Sequence, residues 1–201
     1  MAAMPAPPPI EPRARERLIA AMTDALRRRG LHGIGLTELL QAAGAPKGVL
    51  YHHFPGGKTE LAIAAIDDVV DRMVAGLDAL MQAVPDPIQA TRQWMAKATD
   101  HLIRSGFEVG CPLAAVGLET TPDDAALRDA LARAFARMRT RIAIALANGG
   151  MEAAQASRMA ALIVSTYEGG LLQARVAQSP EPITQATQAL LDLLDLNRRT
   201  P

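Results

Sequence analysis

The segment from Leu36 to Phe54, LTELLQAAGAPKGVLYHHF, limits the possible folds of this chain more than any other. Glu38 to Ala43 reads as a short apolar helix carrying Leu39 and Leu40. Gly44 suits the left-handed conformation that ends a helix and turns the chain. Pro46 suits the first position of a second helix, where its missing N–H leaves nothing unpaired. Two helices joined by three or four residues that include a glycine form the unit that enters a DNA major groove. The second helix carries matching chemistry. Lys47 at its start reaches a phosphate, Gly48 lets the backbone come close, and Tyr51 and His52 project toward a duplex while Leu50 and Phe54 pack inward.

No part of the chain reads as a strand. Val and Ile recur at helical spacing and no alternating run survives four residues, so the fold class is all-α. Residues 1–12, with Pro5, Pro7, Pro8, Pro9 and Pro12, read as a disordered arm. Arg13 to Arg29 reads as a helix with Leu18, Ile19, Met22 and Leu26 on one side, ended by Gly30; the arginines Arg27, Arg28 and Arg29 complement its dipole. Thr59 to Met81 is a long helix, apolar on more than one side and so packed between neighbours. It is expected to be the one element touching both a head (13–60) and a body (61–201), and therefore the lever between them.

Asp86-Pro87 caps and opens a helix ending near Ser105-Gly106, and a short helix follows Cys111-Pro112. Thr121-Pro122-Asp123-Asp124 opens another, with the Thr121 hydroxyl as cap, running to Asn148 with Arg128, Arg133, Arg137 and Arg141 outward on a solvated face. The last two helices, 152–177 and 183–196, each show two apolar faces where a monomer needs one, so the second face calls for a partner. Gly169-Gly170 in mid-helix costs about 1 kcal/mol per glycine relative to Ala, which predicts a close helix approach or a break.

With 201 residues the chain can bury about 70% of its unfolded surface and needs no staple. Its one cysteine excludes an intrachain disulfide and fits a reducing cytoplasm. No apolar run approaches the roughly 18 residues of a membrane span, and no signal-peptide order opens the chain; the expectation is a soluble cytoplasmic protein without membrane contact. Net charge is zero, but residues 10–60 carry +3 and the remainder −3, a basic head on an acidic body.

The helix, the LTELLQAAGAPKGVLYHHF stretch and a lysine at the start of a long helix together resemble the tetracycline-repressor (TetR) family of bacterial regulators. The Ala45-Pro46-Lys47-Gly48 turn, the His52-His53 pair and the Pro55-Gly56-Gly57-Lys58 insertion are similar, more narrowly, to its YxaF/LmrA-like branch. The resemblance covers residues 14–66 and runs on more weakly through Gly110-Cys111-Pro112 and Gly117-Leu118-Glu119. It implies an N-terminal three-helix helix-turn-helix DNA-binding domain and a C-terminal helical ligand-binding and dimerisation domain. It also implies DNA contacts at Lys47, Gly48, Val49, Tyr51, His52, His53 and Lys58, and dimerisation through the last two helices. Gly35 and Leu36 stand where many members have Thr, and Pro46 where Ser is common; Thr37 compensates for one lost hydroxyl. The interface expected from this pairing takes in Leu162, Tyr167, Leu171, Leu190 and Leu194.

Other chemistry is missing. Gly56-Gly57-Lys58-Thr59 imitates the end of a phosphate loop, but the motif's first glycine would fall on His52 and no strand precedes it. The four histidines have no metal-ligand spacing, and no nucleophile–base set is visible, so neither metal, cofactor nor enzyme activity is expected. Nine methionines against three phenylalanines favour adaptable apolar packing. A pocket for a small apolar or aromatic effector is expected among Met73, Leu77, Trp94, Met95, Phe107, Cys111, Met138 and Tyr167, with His101 or Gln173 as its polar group. The reading is a dimeric repressor on a roughly palindromic operator, released by that effector. Two alternatives stand beside it: a constitutive architectural DNA-binding protein with a solid body, and a redox sensor in which a helix N-terminus lowers the Cys111 thiol pKa.

Overall fold

The computed structural model describes residues 13–199, so the arm expected at 1–12 lies outside the described residues. Among them the chain forms nine helices and no strand: α1 (Ala14–Arg29), α2 (Leu36–Ala42), α3 (Lys47–His53), α4 (Gly57–Ala83), α5 (Pro87–Arg104), α6 (Pro112–Glu119), α7 (Ala125–Asn148), α8 (Ala153–Ala177) and α9 (Glu181–Arg199). The all-α expectation holds, with adjustments at the ends. α2 begins two residues early at Leu36, and Pro46 caps α3 in extended conformation (ψ 156°) instead of entering it. Asp86 caps α5 as expected, accepting from Ile88 N–H at 2.9 Å. Thr121 does not cap α7. Its N–H and hydroxyl both donate to Asp124 Oδ2, at 2.8 and 2.7 Å, and α7 starts only after that turn closes. α9 begins before Pro182, because a proline in the first turn loses no helical hydrogen bond.

α1 packs along α4, with α2 and α3 set against α1 to make the head. Leu18, Met22, Leu26, Leu39, Leu50, Phe54, Leu61 and Ile66, all at most 2% exposed, fill it. α4 then runs on into the body and lies against α7; α7 packs on α8, and α8 on α9. The arginines of α7 are not merely solvated. Arg137 pairs with Asp71 at 2.5 Å and Arg141 with Asp78, both on α4, at the rim of that seam. Exposed pairs of this kind contribute up to about 1 kcal/mol each, so apolar burial carries the contact. No described helix is long and apolar enough to cross a membrane.

The double glycine of α8 resolves into two different roles. The helix runs through without a break. A Cβ on Gly170 would stand 2.9 Å from Ile183 Cγ1 and 3.3 Å from its Cα, so α9 crosses α8 where Gly170 makes room; Gly169 faces open space. The two should therefore respond oppositely to the same change. Gly169→Ala is expected to stabilise by up to about 1 kcal/mol through helix propensity. Gly170→Ala is expected to destabilise by about 1–3 kcal/mol through overpacking. Urea denaturation of both variants checks this, and equal shifts would remove the close-crossing explanation.

Candidate functional site

The turn between α2 and α3 is built from backbone bonds. Gly44 is left-handed (φ 57°), and Ala45 N–H reaches back to Leu40 C=O at 3.0 Å. α3 is only seven residues, about 10 Å long, and is fixed from below by Leu50 (0% exposed) and by Phe54 (2%), over whose ring the Arg15 guanidinium lies at 5.5 Å. What remains outside is Lys47, Gly48, Tyr51 and His52, with Val49 and His53 half-buried and Thr37 exposed on α2. Lys47 Nζ stands 5.9 Å over the Tyr51 ring, and the His52 and His53 rings meet edge-on at 4.9 Å. Tyr51 also rests on Gly57 (φ 69°), where a Cβ would be 3.4 Å from its ring. A glycine of the stretch that mimicked a phosphate loop therefore seats the Tyr51 ring. No Asp or Glu occurs between Glu38 and Glu60, so the exposed face of α3 carries no acid.

Lys58 does not join this surface. Its ammonium donates to Leu31 C=O at 2.5 Å and Ile34 C=O at 2.6 Å, and partial burial pulls its pKa down. The Gly57 turn points it into the head, so the phosphate role expected for it would require breaking two hydrogen bonds.

Those carbonyls belong to a seam between head and body. Gly110 N–H donates to Arg27 C=O at 3.0 Å, and Arg175 Nη2 of α8 to Arg28 C=O at 2.8 Å. Arg28 pairs with Glu108 at 2.6 Å. Glu119, the last residue of α6, accepts from Leu31 N–H at 2.5 Å and His32 N–H at 3.2 Å. Gly30 (φ 73°) must be glycine twice over, since a Cβ there would collide with the Glu119 carboxylate. The expectation that α4 alone touches both parts is thus corrected: the end of α1 is also bound to α6 and α8.

The residues expected to line an effector site divide. Leu77, Met95 and Met138 are core, at most 2% exposed, and Met73 is half-buried. Trp94 of α5 and Tyr167 of α8 stack face to face, centroids 4.5 Å apart and planes within 17°. Cys111 is buried and donates its Sγ–H to Glu168 Oε1 at 3.1 Å. His101 and Gln173 are exposed, Gln173 bonding back to Gly169 C=O, so neither supplies the polar group. Phe107 (φ 63°) lies in the seam cleft with Arg28, Glu108 and Arg175. Sequence reasoning missed Glu168. Its signal was a lone acid between apolar Leu162 and Leu172 on a helix with two apolar faces.

Burial lifts the Glu168 carboxyl to about 7, only partly opposed by the Cys111 hydrogen bond. Burial, with the Glu168 charge added, raises the Cys111 thiol well above its ordinary range. The redox-sensor alternative needed a lowered thiol, and the helix terminus does not overcome that burial.

The dimerisation residues also divide. Leu171, Leu190 and Leu194 are 6, 3 and 0% exposed within a single chain, so they join α8, α9 and the core and are not free to meet a second copy. The faces left outside carry Leu162 (37%), Leu172 (51%) and Val176 (78%) on α8, and Leu193 (37%) and Leu196 (64%) on α9. Gly169, half-buried and with nothing within 4 Å of where a Cβ would stand, continues the α8 stripe.

The raised carboxyl makes a stability prediction. A group whose pKa is 4.5 unfolded and about 7 folded contributes fully below the first value and loses its contribution as pH rises through the second. Between roughly pH 4 and 8, Glu168→Gln should gain on wild type by up to about 3 kcal/mol in urea denaturation. A difference independent of pH would place this carboxyl in water.

Comparison with known proteins agrees with the geometry. Residues 18–65 match the family model for bacterial regulatory proteins of the tetR family, and residues 87–189 that for the C-terminal domain of LmrA/YxaF-like transcriptional regulators. The chain is 27% identical over 181 residues to the HTH-type transcriptional regulator LmrA of Bacillus subtilis, covering 90% of this chain and 96% of that one. It is 31% identical over 185 residues to an HTH-type transcriptional regulator of Mycobacterium tuberculosis, covering 90% and 93%. The crystal structure of a TetR regulatory protein from Rhodobacter sphaeroides superposes with a TM-score of 0.80 at 26% identity, over 89% of this chain and 97% of that one. The chain belongs to the TetR family of DNA-binding transcriptional regulators, in its LmrA/YxaF-like branch.

Proposed function

We propose that the protein is a homodimeric repressor that reads a roughly palindromic operator through α3 and leaves it when an apolar or aromatic effector enters the body. The acid-free α3 face, anchored by Leu50 and Phe54 and offering Lys47, Gly48, Tyr51 and His52, carries the DNA part of this reading. Val49, His53 and Thr37 flank it as secondary contacts. The outward stripes of α8 and α9 support the dimer, since a contiguous apolar face on paired helices is costly in water. Two such heads would read half-sites about 34 Å or more apart. The Trp94–Tyr167 stack supports an aromatic effector. A ligand favouring the DNA-free state about 100-fold supplies about 2.7 kcal/mol of coupling, and the bonded seam at the end of α1 gives it a short route to the head.

Operator fragments selected from the source genome test the DNA contacts. Lys47→Ala should weaken binding to all sequences alike and reduce the salt slope by about one. Tyr51→Ala or His52→Ala should cost about 1–3 kcal/mol on the operator and much less on random DNA. Unchanged operator binding in a Lys47, Tyr51 double variant would remove α3 as the reader.

Assembly is tested by sedimentation. Leu172→Glu with Leu193→Glu should give folded monomers that lose operator affinity, whereas Leu190→Glu should unfold the chain by burying a charge. A monomeric wild type, or a dimer indifferent to the outward pair, would contradict the assignment.

A further inference from the structure

Glu168 is a carboxyl group with one oxygen engaged and the other enclosed without a partner. Oε1 takes the Cys111 Sγ–H at 3.1 Å; Oε2 is shut off from solvent and, among the described residues, has no hydrogen bond. The titratable groups around it are the Cys111 thiol at the start of α6 and the Tyr167 phenol beside it on α8. Arg27 of α1 acts on Tyr167, but among the described residues no ammonium or guanidinium acts on Glu168. Tyr167 also brings an aromatic ring, which stacks on that of Trp94.

A buried acceptor without a donor is a standing cost that native structures seldom keep. Here it is kept beside Tyr167, whose ring stacks on Trp94, and aromatic faces attract cations. A ligand that brings an N–H on a positive centre satisfies both features at once. It gives Oε2 a charge-assisted hydrogen bond, holds Glu168 as carboxylate, and sets its cationic end against the rings. A neutral hydroxyl can donate to the same oxygen without the charge, and an anion meets repulsion.

We infer that Glu168, Trp94 and Tyr167 form a subsite for the protonated amine of an aromatic effector, with the ammonium N–H donated to Glu168 Oε2. This rests on the effector reading of the body proposed above and adds to it the sign of the ligand's charge. The subsite also lies one residue from the seam, because Cys111 follows Gly110, whose N–H holds Arg27 C=O.

The test uses three probes that share one ring system: naphthylethylamine, naphthylethanol and naphthylacetate. Each is titrated calorimetrically into the full chain without DNA at neutral pH. The amine should bind at least about tenfold more tightly than the alcohol, and the acid most weakly. Glu168→Gln, close to isosteric, should abolish the amine's advantage and leave the alcohol's affinity within about twofold. Equal binding of amine and alcohol by wild type, an advantage that survives in Glu168→Gln, or binding of none of the three overturns the subsite. The wild-type ranking stands without the variant, should that variant fold poorly. Operator release separates the two readings. Release by the alcohol with no preference for the amine overturns the subsite and keeps the effector reading. Tighter amine binding that never releases the operator supports the subsite and overturns the effector reading.

Discussion

The peptide groups between Arg27 and Ile34 have lost their helix and must find other partners. Most of the arrangement of this molecule follows from where they find them. Gly110 and Arg175 take the last carbonyls of α1, Glu119 takes the N–H groups of Leu31 and His32, and Lys58 takes the carbonyls of Leu31 and Ile34. Three of these partners come from the body and one from the start of α4. The head therefore does not hang on α4 alone; it is tied at a second place, and two attachments fix an orientation where one leaves a swivel. An isolated α3 of seven residues would not persist in water, so its exposed face exists only because packing on α1 buries Leu50 and Phe54 beneath it.

How far this was legible in the sequence differed from element to element. α3 was legible because its anchors, glycine and proline each have one economical place in a helix-turn-helix. The structure moved Pro46 by a single residue. Lys58 was not, since helical spacing gives an exposed position without saying that the left-handed Gly57 turns the side chain toward two carbonyls. The last two helices show the same limit. Periodicity finds two apolar faces on α9 but cannot say which faces inward, and Leu190 and Leu194 proved to be core while Leu193 and Leu196 stayed outside. Gly169 and Gly170 looked alike as letters, and only the crossing of Ile183 separates them.

The body carries the less economical feature. Glu168 in α8 is an acid lifted to about 7 by burial and left with one idle oxygen. A hydrophobic residue of similar size would be cheaper in a structure whose only task is to fold. Cys111 and Tyr167 share the same desolvation, which favours the protonated thiol and phenol. The cluster sits where α6 begins, and α6 ends at Glu119 on the head, so one eight-residue helix joins the idle carboxyl at one end to the head at the other.

Reading of DNA by the segment from α2 to Phe54 is the proposal on which the function rests. Backbone hydrogen exchange, followed residue by residue with and without operator DNA, addresses it without altering any side chain. Slowed exchange is expected across Leu36–Phe54 with the amides of α8 and α9 unchanged. Slowing confined to the body helices, with Leu36–Phe54 exchanging as in the free protein, would contradict it.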